Sequence, residues 1–268
     1  MQIDNSKFLD FPKRIISAVI LCIVALVAIK VGGMLCVAFL SVCFATLVWE
    51  VFYICESGRF GFSLRQVLVP LAAFLIPILQ FYDFLPIVTL VAIAGVSLVQ
   101  GNGGGIKFFC IIYIGSSIIL LQSLLLSNLL PNGTNHVLLL IVIVAASDIG
   151  GYLVGKLLGG PKIFVTVSPK KTWSGSLGGL AFAIILAIVV NPLEGYSPIA
   201  LVVIALVIGI TAQFGDLFES ALKRKFKVKD SGFFLPGHGG LFDRFDGLIL
   251  AIPIYILIHY YYDFGGLS

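Results

Sequence analysis

The stretch FGDLFESALKRKFKVKDSGFFLPGHGGLFDRFD, from Phe214 to Asp246, holds eleven charged residues. Five are acidic (Asp216, Glu219, Asp230, Asp243, Asp246) and six basic (Lys223, Arg224, Lys225, Lys227, Lys229, Arg244). The 268-residue chain has only 17 Lys and Arg and 13 Asp and Glu, so more than a third of its charge sits in this one segment. Long apolar runs flank the stretch on both sides. Hydrophobic residues make up 59% of the sequence, charged residues 11%, and the mean hydropathy is +1.11. Soluble domains carry about 25% charged residues, so a soluble fold is excluded. The apolar runs recur from end to end without the alternation an outer-membrane barrel requires. The expected fold class is all-α, a polytopic transmembrane helical bundle.

Working outward, nine apolar segments can be drawn, roughly 15–30, 34–55, 67–82, 85–99, 106–128, 136–157, 175–191, 198–214 and 246–262. Several fall short of the ~20 residues a straight span needs, and the two around Asp83 could form one re-entrant pair. Breakers between them include Gly32–Gly33, Pro86, Pro131–Asn132–Gly133 and Asn191–Pro192. Lys13–Arg14 before an apolar run imitates a signal peptide. No small-residue cleavage signal follows, so a retained first helix is expected. The five cysteines (Cys22, Cys36, Cys43, Cys55, Cys110) lack metal-ligand spacing and read as small buried hydrophobes. The chain is expected to divide into N-terminal membrane helices, 1–130, and C-terminal helices, 131–268, that carry the chemistry.

Nine alternating spans put sixteen of the seventeen Lys and Arg on the side of the N-terminus and leave only Lys30 on the other. The positive-inside rule makes that side cytoplasmic. An eight-span count that merges two segments before residue 150 scatters the basic residues over both faces. The expected placement is a multi-pass protein of the cell's inner (cytoplasmic) membrane, N-terminus inside, with the charged stretch facing the cytoplasm.

Acids within apolar spans cost about 2.5–3.5 kcal/mol each at a helix centre and demand a reason. Glu50, in LVWEVF, reads either as a substrate-site carboxylate or as a partly hydrated glutamate paired with a basic group near the interface; the second is expected. Asp83 reads as a solvated loop residue. Asp148, within AASDIGGYLVGKLLGG, has glycines around it that permit close helix approach and, as an intramembrane acid, is expected to have a functional role. The connector VSPKKTWSGSLGG, Val167 to Gly179, offers adjacent ammoniums (Lys170, Lys171), the hydroxyls of Ser168, Thr172, Ser174 and Ser176, and a glycine-rich helix entry. These groups suit phosphate oxygens. Attraction to anionic headgroups would also account for two lysines.

Within the charged stretch, Asp216 and Glu219 stand three residues apart and Ser220 four, one helical face. Asp243 and Asp246 repeat the spacing at the start of the last apolar run. Four carboxylates in two helical pairs are hard oxygen ligands suited to Mg²⁺, with a second cation possible. Either Asp243 or Asp246 alone could instead serve a helix dipole. Between the pairs lie KRKFKVK and the turn PGHGG, whose His238 is too isolated for a metal ligand.

At this point the residues resemble a known family. Ser220-x-Leu222-Lys223-Arg224, Lys229–Asp230–Ser231, PGHGG and Leu241-x-Asp243-Arg244-x-Asp246 are similar to the signature of phosphatidate cytidylyltransferases, the CDP-diacylglycerol synthases. Asp148, Tyr152, Gly155, Lys156 and SPKKT resemble the family's other recurring elements. Ser174 stands where the family usually has glutamate. The resemblance implies conversion of CTP and phosphatidate to CDP-diacylglycerol and pyrophosphate within a lipid bilayer. Asp216, Asp243 and Asp246 would hold Mg²⁺, with Glu219 as a further ligand. Lys170, Lys171, Lys223, Arg224 and Arg244 would meet phosphate oxygens, joined by Ser168 and Thr172. Gly237, His238, Gly239 and Gly240 would admit the triphosphate, and Asp148 would border the cavity. No nucleic-acid partner is expected; a homodimer could form through small residues such as Gly150, Gly151 and Gly155. The rival readings are a CTP-dependent kinase or cytidylyltransferase acting on polyprenol or another lipid phosphate, and a transporter lined by Glu50 and Asp148.

Overall fold

A computed structural model describes residues 5–59, 64–99, 103–126, 129, 132–194, 196–234 and 239–264. Among these residues the chain forms nine helices: α1 (Asn5–Val31), α2 (Gly33–Cys55), α3 (Leu64–Phe81), α4 (Pro86–Leu98), α5 (Gly104–Leu126), α6 (Gly133–Leu158), α7 (Trp173–Glu194), α8 (Pro198–Lys225) and α9 (Phe242–Phe264). Each overlaps one of the nine apolar segments. Five helices (α2, α5, α6, α7, α8) are long and apolar enough to cross a membrane, and the apolar parts of α1, α3 and α4 are shorter. The thirteen residues of α4 rise about 20 Å at 1.5 Å each, against a hydrocarbon core of about 30 Å. The protein is a polytopic membrane bundle.

One departure from the all-helical expectation falls on SPKKT. α6 ends at Gly159, whose φ of 63° suits a residue without a side chain. The chain then reverses, and β1 (Lys162–Phe164) pairs antiparallel with β2 (Ser168–Thr172). The connector is therefore a hairpin, not a loop, because the short strand Lys162–Phe164 supplies a partner for SPKKT.

The helices group into two compact units. The first comprises residues 1–122 and 225–244. Its core is α2, where Cys36, Phe44, Val48, Val51 and Ile54 are buried. Gln122 on α5 donates to Pro77 O at 2.8 Å, satisfying a carbonyl near the end of α3. Lys107 is only 2% exposed; its Nζ lies 3.1 Å from Glu56 and 4.7 Å from the centre of the Phe52 ring. Cys36, Cys43, Cys55 and Cys110 are free and buried, and Cys22 is free and exposed. In the segment 225–229, Phe226 approaches Gly103 and Val228 approaches Gly58, while Lys225, Lys227 and Lys229 stay exposed.

The second unit comprises residues 123–224 and 245–268. Its central pair is α6 with α7. A Cβ at Gly155 would lie 3.3 Å from Gly175 Cα, and one at Gly151 would lie 3.4 Å from Gly175 O. Such glycines let two membrane helices touch backbone to backbone. Gly150 faces Phe182 of α7, so these three glycines serve packing inside the chain. Near the start of α6 and the end of α9, Tyr196 Oη lies 2.8 Å from His136 Nδ1 and 3.1 Å from His259 Nε2. Tyr255 Oη also meets His136 Nδ1, at 2.9 Å. This cluster ties α6, α9 and the α7–α8 connector together.

Candidate active site

In the second unit, α8 carries Asp216, Glu219, Ser220 and Lys223 at three- and four-residue intervals, which stack on one helical face. α9 meets α8 at Gly215 and Gly247. A Cβ at Gly215 would collide with Asp246 O and stand 2.9 Å from Gly247 Cα; one at Gly247 would stand 3.1 Å from Ala212 O. This crossing brings Asp246 beside the α8 acids. One oxygen each from Asp216, Glu219 and Asp246 lies within 4.8 Å of the other two.

Two ammoniums complete the cluster. Lys171 on β2 places Nζ 2.6 Å from Asp216 Oδ2 and 3.3 Å from Gln213 O. Lys223 places Nζ 2.7 Å from Glu219 Oε2, one turn further along α8. Ser220 Oγ donates to Asp216 Oδ1 at 3.3 Å, and Gly247 N–H to Asp246 Oδ1 at 2.7 Å. The charges of Asp216 and Asp148 repel that of Asp246, and Lys223 attracts it. Three carboxylates against two ammoniums leave the cluster formally one charge negative, and hard oxygen donors in this density could hold a metal ion.

The other expected site residues are distributed as follows. Along β2, Lys171 is half-buried and meets Asp216, while Lys170 is exposed and Ser168 half-buried. Thr172 is buried and accepts the Gly175 N–H at 3.1 Å, which makes it the N-cap of α7. Ser174, in the position of the usual glutamate, donates to Gly159 O and closes the hairpin onto α7. Arg224 Nε donates to Val167 O at 3.4 Å, and Arg244 is exposed. Gly237 and His238 lie outside the described residues. Asp243 belongs to the first unit, where its Oδ2 accepts Ser231 N–H at 3.0 Å, Ser231 Oγ–H at 2.9 Å and Gly240 N–H at 2.9 Å.

Two features escape a sequence reading. Glu50, expected beside a basic group, instead accepts the backbone N–H groups of Leu241 and Phe242, both at 2.7 Å. Gln213, one turn before Asp216, joins three helices: Nε2 donates to Ser147 Oγ at 3.4 Å and to Ser176 O at 3.1 Å, and Ser176 Oγ donates to Oε1. Its signal was an amide in an apolar run facing small residues. Gln213→Leu should cost about 1 kcal/mol, typical of an interhelical hydrogen bond in lipid. Thermal unfolding in detergent should show a lowered midpoint, with a smaller fall in turnover than loss of a cluster carboxylate gives, since Lys171 still meets the residue-213 carbonyl.

The fold and the cluster define a class: a polytopic membrane protein with an acidic, cation-capable centre where two helix ends cross beside lysines. Residues 12–262 match the cytidylyltransferase family, and the chain belongs to it. It is similar to the phosphatidate cytidylyltransferase of Brucella suis, 40% identical over 160 residues, 58% of this chain and 57% of that protein. That of Rickettsia bellii is 40% identical over 156 residues (54% and 68%), and that of Bacillus subtilis 42% over 135 residues (49% and 50%). The chain thus spans little more than half the length of the first of these relatives.

Proposed function

We propose that the protein is a phosphatidate cytidylyltransferase, forming CDP-diacylglycerol and pyrophosphate from CTP and phosphatidate. The observation that carries this reading is the convergence of Asp216, Glu219 and Asp246 with Lys171 and Lys223, in a chain of this family. A phosphate oxygen of the lipid attacks the α-phosphorus of CTP, and the bond to the β-phosphate oxygen breaks as pyrophosphate leaves. Both reactants are polyanions, so the site must supply positive charge.

Asp216, Glu219 and Asp246 would hold Mg²⁺, with Asp243 one turn earlier on α9 steadying the helix start; a second cation could share a carboxylate. When bound, the ion would screen the two polyanions and stabilise charge on the departing pyrophosphate. Lys171 and Lys223 hold their ammoniums at the carboxylates, where phosphate oxygens can meet them. Lys170, Arg224 and Arg244 would meet further phosphate oxygens, and Asp148 borders the cluster. The basic residues favour a cytoplasmic N-terminus and a site facing the cytoplasm of the cell membrane, with residues 131–268 carrying most of the chemistry. Treating α3 and α4 as a re-entrant pair preserves that orientation, because two spans are removed together.

Purified protein supplied with phosphatidate and Mg²⁺ should transfer label from the α-phosphorus of CTP into lipid and release label from the γ-phosphorus as pyrophosphate. Entry of the γ label into lipid would establish a kinase instead. Entry of neither label would defeat the reading.

A further inference from the structure

Glu50 is fully buried on α2. A carboxylate taken out of water persists only where donors surround it. Here Oε1 accepts Leu241 N–H and Oε2 accepts Phe242 N–H, each at 2.7 Å, and Ser231 Oγ lies 3.3 Å from Oε2. These amides belong to the entry and first turn of α9, where helix N–H groups lack intrahelical acceptors and the dipole is positive. An acid from a helix far upstream therefore caps α9. Ser231 couples it to a second carboxylate: its single hydroxyl proton can go to Asp243 Oδ2 at 2.9 Å or to Glu50, while its oxygen accepts Asp243 N–H at 3.3 Å. The surroundings are shaped for this fit. A Cβ at either Gly232 or Gly240 would come within 2.7 Å of Glu50 Oε1.

We propose that Glu50 is a positioning residue for nucleotidyl transfer. Its carboxylate latches Ser231, Leu241 and Phe242 together and fixes the first turn of α9, from which Asp243 and, one turn on, Asp246 project. The inference rests on the reading that α9 serves this transfer. It assigns no contact between Glu50 and a substrate.

A reporter stands next to the latch. Trp49 packs edge-on against Phe233 at 5.4 Å and Phe234 at 4.8 Å, the residues that follow Ser231 and Gly232. The chain has two tryptophans, so a Trp173→Phe background leaves Trp49 emission as a readout of segment docking that needs no turnover. In that background Glu50→Gln should lower kcat at least about tenfold, raise the Mg²⁺ concentration for half-maximal rate severalfold and leave the phosphatidate KM within about twofold, with red-shifted Trp49 emission. Glu50→Asp should recover part of kcat. Ser231→Ala should cost less, and adding it to Glu50→Gln should cost little more. Parental kcat and emission in Glu50→Gln would overturn the proposal, as would equal kcat losses in the Gln and Asp variants with unshifted emission. Should Glu50→Gln aggregate, Gly232→Ala decides, since the three atoms its added Cβ would meet first all belong to Glu50: a red shift supports the latch and a parental spectrum refutes it. If the parent itself makes no CDP-diacylglycerol, the functional reading fails, and the emission shift still decides whether Glu50 fastens the segment.

Discussion

Asp246→Asn should reduce transfer of the CTP α-phosphorus into lipid on the order of 10³-fold, the scale for removing one electrostatic group from a reaction centre. Membrane insertion and folding should survive. Asparagine keeps the shape and the Oδ1 that accepts Gly247 N–H. It removes one of three convergent negative charges, and Asp246 is repelled by Asp216 and Asp148. The thermal midpoint in detergent, without added divalent ion, should therefore be no lower than the parent's. Activity is read from labelled lipid, stability from unfolding. Near-parental transfer would remove Asp246 from the ligand set, whereas a lost fold would mean that its charge is structural.

Gly215→Ala should be nearly as damaging to turnover, for a geometric reason. The new methyl would meet Asp246 O and Gly247 Cα, both backbone atoms that cannot rotate away. α8 and α9 would have to separate, at an overpacking cost of about 1–3 kcal/mol. Asp246 would be carried away from Asp216 and Glu219, so turnover should fall by more than the loss of stability explains. Gly95→Ala on α4 is the control, because no atom lies within 4 Å of its added Cβ. Its expected effect is neutral to slightly stabilising, as alanine is the better helix former. Equal behaviour of the two variants in unfolding and labelling assays would show that the crossing is not a close one.

The helices were legible because each is a run of apolar residues bounded by glycine, proline or charge, and lipid demands that such runs satisfy their own backbone. The α8 half of the cluster was legible for a similar reason: the three-residue step from Asp216 to Glu219 survives in any helix. The same rule says nothing of what surrounds Asp243. It stands three before Asp246, but it lies in a first turn where Ser231 and Gly240 offer donors that spacing does not reveal. Glu50 was harder still. A sequence search for its partner looks for lysine or arginine, whereas the partners are two backbone amides near residue 241, a donor that every residue but proline possesses. SPKKT read as a connector without secondary structure because its strand partner is three residues long and nondescript. The hairpin gives these consecutive lysines different surroundings, Lys170 exposed and Lys171 against Asp216.

The glycine seam between α6 and α7 sets two requirements of a membrane protein against each other. Entering the bilayer favours side chains such as leucine, about −0.3 to −0.6 kcal/mol each on insertion scales. Assembly of the inserted helices favours having no side chain at all where Gly151 and Gly155 meet Gly175. Replacing Gly155 by leucine would thus ease α6 into lipid while obstructing its partner. Selection at this seam acts on the second stage of membrane folding at the expense of the first, and the polar neighbours Ser147 and Asp148 add to the same cost.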